Sequence, residues 1–167
     1  DAVATVSKTT KRLMLQHRLT KRPIDVIYNA AGTFVSDYEH RNPKSRPRDK
    51  QNLVYMGSFM DYKNVEVLIA GMRLLPGYNL QLLSRITPER QAELAAQVSA
   101  EGGTVEFFNG VSEAEYHERL DQAVALVTGS RDEGFGIPLV ESMNRGVPVV
   151  VSNIEIFKEI GGDAAIF

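Results

Sequence analysis

The sequence of 167 residues contains no cysteine, no tryptophan and three histidines. Without cysteine the chain can form neither disulfide bonds nor thiolate metal sites, which is typical of a protein from a reducing compartment. His17, His40 and His117 lie far apart and match no metal-ligand spacing. No Asp-x-Asp pair is present that could hold a divalent cation. We therefore predict a site that uses no metal and no other cofactor.

Long apolar runs are also missing. No stretch approaches the roughly 20 apolar residues of a membrane-spanning helix, and the first residues show no signal-peptide pattern. We therefore expect a cytoplasmic protein. No G-x-G-x-x-G follows the first long strand pattern, which argues against a nicotinamide-dependent dehydrogenase. The net charge of −2 argues against nucleic acid as a partner.

The charges are distributed unevenly along the chain. Residues 1–50 carry 11 Lys and Arg against 5 Asp and Glu, whereas residues 51–167 carry 8 against 16. The polar, basic stretch from His40 to Asn52 contains two prolines and no apolar periodicity, so it predicts a linker or an exposed loop. We therefore divide the chain into an inter-domain segment, residues 1–50, and a domain, residues 51–167. Because the first residue is Asp1 rather than Met, we interpret the chain as a piece of a longer protein.

The first segment has the pattern strand, helix, strand. Residues 1–7 are β-prone, residues 8–22 predict a basic helix that Pro23 stops, and residues 24–29 predict a strand. The helix is compatible with peripheral contact at an anionic membrane surface. Packing of its apolar side on the domain is the alternative. That side comprises Leu13, Met14, Leu15 and Leu19.

From residue 53 onward, short apolar runs alternate with helical patterns. The runs are continuous rather than alternating apolar with polar, as expected of strands covered on both faces. The repetition predicts an α/β fold, a doubly wound parallel sheet of Rossmann-like type. Two helix starts carry capping signals, Thr87 followed by Pro88 and the capping box Ser112–Glu115. The apolar runs are 53–57, 79–84, 104–108, 123–129, 148–152 and 164–167.

In such sheets, ligands bind beyond the carboxyl ends of the strands, and the stretch "RDEGFGIPLVES" follows one of them. Glu133 and Glu141 stand on either side of Gly134, Gly136 and Pro138, which lead into a helix. A helix start offers backbone N–H groups and a positive dipole end to an anion, while glycines allow close approach. Acids would repel that anion, so we expect them to bind hydroxyls on either side of it, as in a nucleotide sugar. A helix start with dipole-favouring acids and loop glycines is the alternative.

Lys63 is the second candidate for a residue that binds the nucleotide sugar. It follows the first long strand and opens a helix, so it can reach the same edge of the sheet. A lysine there would neutralise a diphosphate as a point charge. The alternative is a solvated lysine at a helix start. It is less favourable electrostatically, because a cation at that end opposes the helix dipole.

Here the sequence resembles a known family. Residues 53–167 are similar to the C-terminal, donor-binding domain of retaining group-1 glycosyltransferases, which have the GT-B fold. The family's paired-glutamate motif, two glutamates separated by seven residues, stands here as "EGFGIPLVE". "YMGSFMDYKNVEVLIAGMRLL" resembles its first strand, phosphate loop and helix, and "FNGVSEAEYHERLDQAVALVTGSRDEGFG" the run into the glutamates.

The resemblance implies roles for individual residues. Glu133 would contact the donor sugar and Glu141 the ribose, while Lys63 would hold the departing diphosphate, so that Glu133 and Lys63 are the predicted catalytic residues. The loop 109–111 would contact the base mostly through its backbone. One departure is that Ser58 stands where the family commonly has arginine, and Arg85 is our candidate for compensation, with a surface arginine as the alternative. The predicted donor-binding set is Gly57, Ser58, Lys63, Arg85, Asn109, Val111, Glu133, Gly134, Phe135, Gly136, Ile137 and Glu141.

The function implied is retaining transfer of a sugar from a nucleotide diphosphate, with UDP or GDP expected, to a polysaccharide or glycolipid. The acceptor would be bound by an N-terminal domain that is not part of this sequence. We therefore expect this chain to bind the nucleotide without transferring sugar by itself. A non-catalytic nucleotide-sugar-binding or interaction module of the same fold is the alternative.

Overall fold

The structure, a computed structural model, describes residues 2–30 and 51–167, so most of the predicted linker from His40 to Asn52 lies outside it. The strands are β1 (Val3–Thr5), β2 (Ile24–Val26), β3 (Asn52–Met56), β4 (Asn79–Leu83), β5 (Thr104–Phe108), β6 (Ala125–Thr128), β7 (Val149–Val151) and β8 (Ala165–Ile166). The α-helices are α1 (Lys8–Gln16), α2 (Val65–Gly71), α3 (Pro88–Ala95), α4 (Glu113–Gln122), α5 (Ile137–Asn144) and α6 (Glu155–Gly161).

The body of the protein is a six-stranded parallel sheet in the order β5-β4-β3-β6-β7-β8. The chain first moves outward from β3 to β5, then returns to place β6 beside β3, where Leu53 pairs with Ala125 and Val54 with Leu126. The direction of winding therefore reverses between β3 and β6. In this topology the crevice at the carboxyl ends of those two strands is the usual place for a ligand.

Helices cover both faces of this sheet, which confirms the predicted doubly wound class. One core cluster joins β3, β4 and β6 to α2 and α3, and includes the buried Tyr55, Ile69 and Leu94. The other joins the sheet to α4, α5 and α6, and includes the buried Leu120 and Phe157. The continuous apolar runs thus arise because strand residues of both orientations are covered.

The predicted helix starts at residues 87 and 112 are present. Thr87 accepts a hydrogen bond from the backbone of Arg90 at 3.3 Å, with Pro88 in the first turn. Ser112 accepts one from the backbone of Glu115 at 3.2 Å. The carboxylate of Glu115 pairs with Arg119 at 2.8 Å. The serine half of the predicted capping box is therefore present, whereas the Glu115 side chain pairs with Arg119 one turn further along the helix.

The prediction that the first helix runs to Pro23 is wrong, because α1 ends at Gln16. Arg18 adopts a left-handed conformation with φ of 52°. Its N–H donates to the carbonyl of Leu15 at 3.1 Å, and that of Leu19 donates to Met14 at 3.0 Å. These two bonds form a Schellman ending, which glycine usually provides. Because arginine rather than glycine occupies that position, the sequence does not indicate that the helix ends there.

The predicted apolar side of α1 is largely uncovered. Leu13, Leu15 and Leu19 are 37%, 52% and 69% exposed, so the alternative that this side packs on the domain does not hold for Leu15 and Leu19. Contact with an anionic membrane surface stays a prediction. No helix within residues 2–30 and 51–167 combines the length and the apolar character needed to cross a membrane.

Glu159 on α6 joins the first segment to the rest of the protein. Its carboxylate accepts hydrogen bonds from the backbone of Lys8 and Thr9 at 2.7 and 2.8 Å. It also accepts one from the Thr9 hydroxyl at 2.6 Å and one from Tyr28 at 2.9 Å. Partial burial raises the pKa of Glu159, but these hydrogen bonds outweigh it and lower the pKa below its ordinary value of 4.5. The carboxylate thus caps the start of α1 in its ionised form.

We expect Glu159→Gln to lower the free energy of unfolding by about 1–3 kcal/mol at pH 7, because hydrogen bonds to an ionised group are lost. A carboxyl group with a depressed pKa stabilises the fold above its ordinary pKa, and this contribution is lost as the pH falls through the folded value. Urea unfolding measured from pH 7 down through 4.5 and below should therefore show a difference in the free energy of unfolding between the two proteins that shrinks once the pH falls below 4.5.

Glu155→Gln on the same helix is the matched control. Its carboxylate pairs with Arg12 at the surface, where both side chains are more than half exposed, and such pairs contribute about 0–1 kcal/mol. Equal effects of the two substitutions would contradict the role given to Glu159.

Candidate active site

Two adjoining cavities lie at the carboxyl ends of β3 and β6, where the winding reverses. The first has a volume of about 380 Å³ and reaches Lys63, Glu133 and Phe135. The second has a volume of about 490 Å³ and reaches Val111 and Glu141. Four residues line both cavities and make them one two-part cleft, namely Met56, Gly57, Ile137 and Pro138.

Lys63 and Glu133 form an ion pair in the first cavity. Nζ of Lys63 lies 2.5 Å from Oε1 of Glu133, although the two residues are 70 positions apart. Their side chains are only 16% and 14% exposed. Nζ also lies 5.2 Å from the ring centre of Tyr62. The two predicted catalytic side chains are therefore in direct contact, in a setting where charges are screened less than at the surface.

Hydrogen bonds between the loop after β3 and the loop after β6 bring this pair together. The backbone of Arg131 donates to the carbonyl of Tyr62 at 2.7 Å. The side chain of Asn64 donates to the carbonyl of Gly129 at 3.1 Å and accepts from Arg131 at 2.9 Å. Asn64 has a φ of 51°, a left-handed conformation that asparagine tolerates better than most residues. The local turn thus directs the Asn64 side chain toward the loop after β6.

The start of α5 lies beside the ion pair, as predicted. It offers a ligand fewer free backbone N–H groups than the four of an ordinary helix start. Gly136 is the residue before the helix, with φ of 91°. Its carbonyl accepts the N–H groups of Leu139 and Val140 at 3.1 and 3.4 Å, and Pro138 has none. The N–H groups of residues 136 and 137 are therefore the ones left to face a ligand, together with the positive end of the helix dipole.

Glu141 lies in the second cavity, one turn into α5. Its Oε2 accepts a hydrogen bond from the hydroxyl of Tyr116 at 2.9 Å. Tyr116 is 3% exposed, and burial together with the charge of Glu141 raises the pKa of its hydroxyl well above the ordinary range. The tyrosine therefore stays protonated and acts as a donor.

Ser58, the departure from the family pattern, lines the second cavity. Its carbonyl accepts a hydrogen bond from the hydroxyl of Tyr55 at 2.6 Å. Burial and the nearby charge of Glu133 raise the pKa of Tyr55, so its hydroxyl stays a donor. The backbone after β3 is thus held by a side chain of the strand itself.

Most of the predicted donor-binding residues border the cleft, but Arg85 and Asn109 line neither cavity. Both are exposed. The side-chain amide of Asn109 exchanges two hydrogen bonds with the backbone of Ile86, at 3.2 and 3.0 Å. Asn109 therefore ties the loops after β4 and β5 to each other. The ligand-binding roles of the whole set stay predictions.

Sequence reasoning missed several residues of the cleft. Val6 and Asn29, from the first segment, line the first cavity, and Ser7 donates to the carbonyl of Gly134 at 3.3 Å. Tyr116 lines the second cavity and donates to Glu141, and the buried Ser130 donates to Glu133. Their positions in the sequence lie outside the glutamate motif, so the motif alone could not identify them. Ser130 directly precedes the loop, and its complete burial is visible only in the structure.

No group of three or more His, Asp or Glu side chains that could hold a metal ion is found among residues 2–30 and 51–167. The prediction of a metal-independent site stays a prediction.

The sheet order, with a two-part cleft where the winding reverses, is that of a doubly wound α/β domain with a ligand-binding crevice. The family described as glycosyl transferases group 1 matches residues 36–165. The chain therefore belongs to the group-1 glycosyltransferases, as the resemblance predicted.

Two curated relatives match almost the whole chain. The O-antigen chain mannosyltransferase RfbU of Salmonella typhimurium is 31% identical over 169 residues, covering 99% of this chain and 46% of RfbU. The O-antigen chain mannosyltransferase B of Escherichia coli is 28% identical over 176 residues, covering 89% of this chain and 43% of that protein. The chain thus spans less than half the length of these relatives.

Solved structures show the same fold. A sucrose-phosphate synthase from Thermosynechococcus elongatus has a TM-score of 0.76 at 22% identity, covering 99% of this chain and 44% of that one. The Anabaena protein HepE, in complex with UDP and glucose, has a TM-score of 0.71 at 19% identity, covering 95% and 46%. At these identities the likeness establishes the fold alone.

Gly136 provides a test of the local geometry. A Cβ at this position would lie 2.8 Å from Cε1 of Phe157, in a backbone conformation that side chains rarely adopt. We expect Gly136→Ala to lower the free energy of unfolding by about 1–3 kcal/mol. Urea denaturation followed by circular dichroism measures the loss.

Gly134→Ala in the same loop is the control, because a Cβ there meets no atom within 4 Å. We expect a change within about 0.5 kcal/mol. A larger loss for Gly134→Ala than for Gly136→Ala would contradict the loop conformation.

Proposed function

We propose that this chain is the donor-binding domain of a retaining glycosyltransferase and that its cleft binds a nucleotide diphosphate sugar. The observation that carries the proposal is the pairing of Lys63 with Glu133 in the first cavity, with Glu141 in the adjoining second cavity. A cation with a helix start suits a diphosphate, and an acid on either side suits hydroxyls. The donor sugar would occupy the first cavity and the nucleoside the second.

The chemistry proposed for Lys63 is stabilisation of the leaving group. As the bond from the sugar to the diphosphate breaks, negative charge grows on the diphosphate and positive charge on the sugar ring. Nζ of Lys63 and the N-terminal end of α5 are fixed beside that position before the reaction, so they need little reorganisation. The anomeric carbon forms a bond to a hydroxyl oxygen of the acceptor with its configuration unchanged, and the proton of that hydroxyl leaves with the nucleotide diphosphate.

The acids have separate tasks in this proposal. Glu133 accepts hydrogen bonds from the donor sugar and, by its contact with Lys63, keeps the ammonium at the cleft. Glu141 accepts hydrogen bonds from the ribose. Because both carboxylates bind hydroxyl groups rather than the phosphates, the site tolerates two acids next to an anion.

The two curated relatives suggest the substrates. Both are named O-antigen chain mannosyltransferases, so we propose mannose from a nucleotide diphosphate donor as the sugar and a growing polysaccharide as the acceptor. We further propose that the acceptor is bound by the part of the protein that corresponds to the remaining half of these relatives. The alternative, a binding module without catalysis, rests on Ser58 in place of the expected arginine.

Calorimetric titration with GDP, UDP and ADP tests the proposal. We expect at least one of them to bind, and Lys63→Met to raise its Kd about 10- to 100-fold, because charge-assisted hydrogen bonds to the diphosphate are lost. Glu141→Ala should also weaken binding, through the ribose. Lys158→Met is the control, since Lys158 is exposed on α6 and lines neither cavity.

Three results would count against the proposal. Failure of all three nucleotides to bind the wild-type chain would favour an interaction module. Equal effects of Lys63→Met and Lys158→Met on the Kd would show that Lys63 does not contact the nucleotide. Binding that is unaffected by Glu141→Ala would place the nucleoside elsewhere.

A further inference from the structure

The carboxylate of Glu133 accepts a hydrogen bond from Ser130, a serine that has no role in the proposed chemistry. The hydroxyl of Ser130 donates to Oε1 of Glu133 at 2.9 Å, the same oxygen that pairs with Lys63. Ser130 is completely buried. Among the described residues, no hydrogen bond engages the second oxygen, Oε2. One oxygen of the carboxylate is therefore fixed by two donors, and the other is left for the cleft.

The direction of this hydrogen-bond chain follows from proton counting. Ser130 has one hydroxyl proton, which it gives to the carboxylate, because an ionised carboxylate only accepts. The contact of 3.0 Å between Oγ1 of Thr128 and Oγ of Ser130 must then be donated by Thr128. Thr128 at the end of β6 thereby orients Ser130, and Ser130 orients Glu133. The position of the carboxylate is set by the sheet rather than by the exposed loop.

Glu141 is held in a parallel way by another element. The hydroxyl of Tyr116, on α4, donates to its Oε2 at 2.9 Å. Tyr116 is 3% exposed and packs in the core with Leu120 and Leu139. Both the ring and the hydroxyl are therefore fixed. Oε1 of Glu141 is the oxygen that remains for a ligand in the second cavity.

We propose that Ser130 and Tyr116 are positioning residues, each of which orients one glutamate of the motif so that its other oxygen meets a different part of the donor. This inference rests on the proposed function. Ser130 would govern recognition of the transferred sugar through Glu133. Tyr116 would govern recognition of the ribose through Glu141. A glycosyltransferase could act without these two separate positioning roles. The roles can therefore be tested independently of the proposed function.

The test uses two pairs of ligands and two variants. Dissociation constants are measured by calorimetry for GDP and GDP-mannose, and for GDP and 2′-deoxy-GDP, with UDP and UDP-glucose as a second set. Ser130→Ala removes the buried hydroxyl that donates to Glu133 of the first cavity. Tyr116→Phe removes one hydroxyl beside the second and keeps the ring. Thermal unfolding of each variant checks that the fold is retained.

We expect the two variants to affect different ligands. Ser130→Ala should leave the Kd of GDP within about twofold and weaken GDP-mannose about fivefold, the usual effect of one lost hydrogen bond. Tyr116→Phe should weaken GDP about fivefold and leave 2′-deoxy-GDP less affected. Thr128→Val, which keeps the volume, should act in the direction of Ser130→Ala but less strongly, and it replaces that variant if Ser130→Ala does not fold.

The outcomes distinguish this inference from the proposed function. If the wild-type chain binds nucleotide and both variants weaken all ligands equally, or neither weakens any, the positioning roles are overturned while the proposed function stands. If the wild-type chain binds none of these ligands and no ADP, the proposed function fails and this inference fails with it. Selective loss of the sugar in one variant and of the ribose in the other supports it.

Discussion

The ion pair between Lys63 and Glu133 is the contact on which the site depends. It joins residues 70 positions apart because β3 and β6, which precede them, are neighbours in the sheet. Had the strands followed one another in sequence order, the two loops would lie at different places along the edge. Because the winding reverses, the loop that carries Lys63 lies next to the loop that leads into α5. The ammonium group is therefore held beside the start of that helix. Glu133 balances the charge of Lys63, so neither charge is left unpaired although both side chains are largely buried.

The proposed function places a diphosphate in one cleft with two acids, and the same pair contributes to an explanation of how that is possible. Glu133 is bound to Lys63 and Ser130 through a single oxygen, and Glu141 is bound to Tyr116 through a single oxygen. Each carboxylate is therefore oriented before any ligand arrives. Preorganised charges of this kind cost little when the ligand binds, and they are effective where water is limited. The buried hydroxyls, rather than the loop glycines, set the directions in which the site can form hydrogen bonds.

Much of the fold could be predicted from the sequence, because a sheet covered on both faces requires apolar residues of both orientations, as in residues 79–84 and 104–108. The end of α1 could not, since it depends on Arg18 adopting a glycine-like conformation. The resemblance led to a donor-binding set of twelve residues, ten of which line the cleft. It could not identify Tyr116 or Ser130, because their roles arise from packing between elements distant in sequence. Arg85, predicted from its place at a strand end, lines neither cavity, because being at the correct edge of the sheet does not bring it to the crevice between β3 and β6.

The central claim is that a diphosphate binds between Lys63 and the first turn of α5. A crystal structure of this chain grown with GDP or UDP tests it most directly. The account predicts diphosphate oxygens within hydrogen-bond distance of Nζ of Lys63 and of the backbone at residues 136–137, with the ribose at Glu141. A nucleotide bound at any other part of the surface, with Lys63 and Glu133 still paired in an empty cleft, would contradict it.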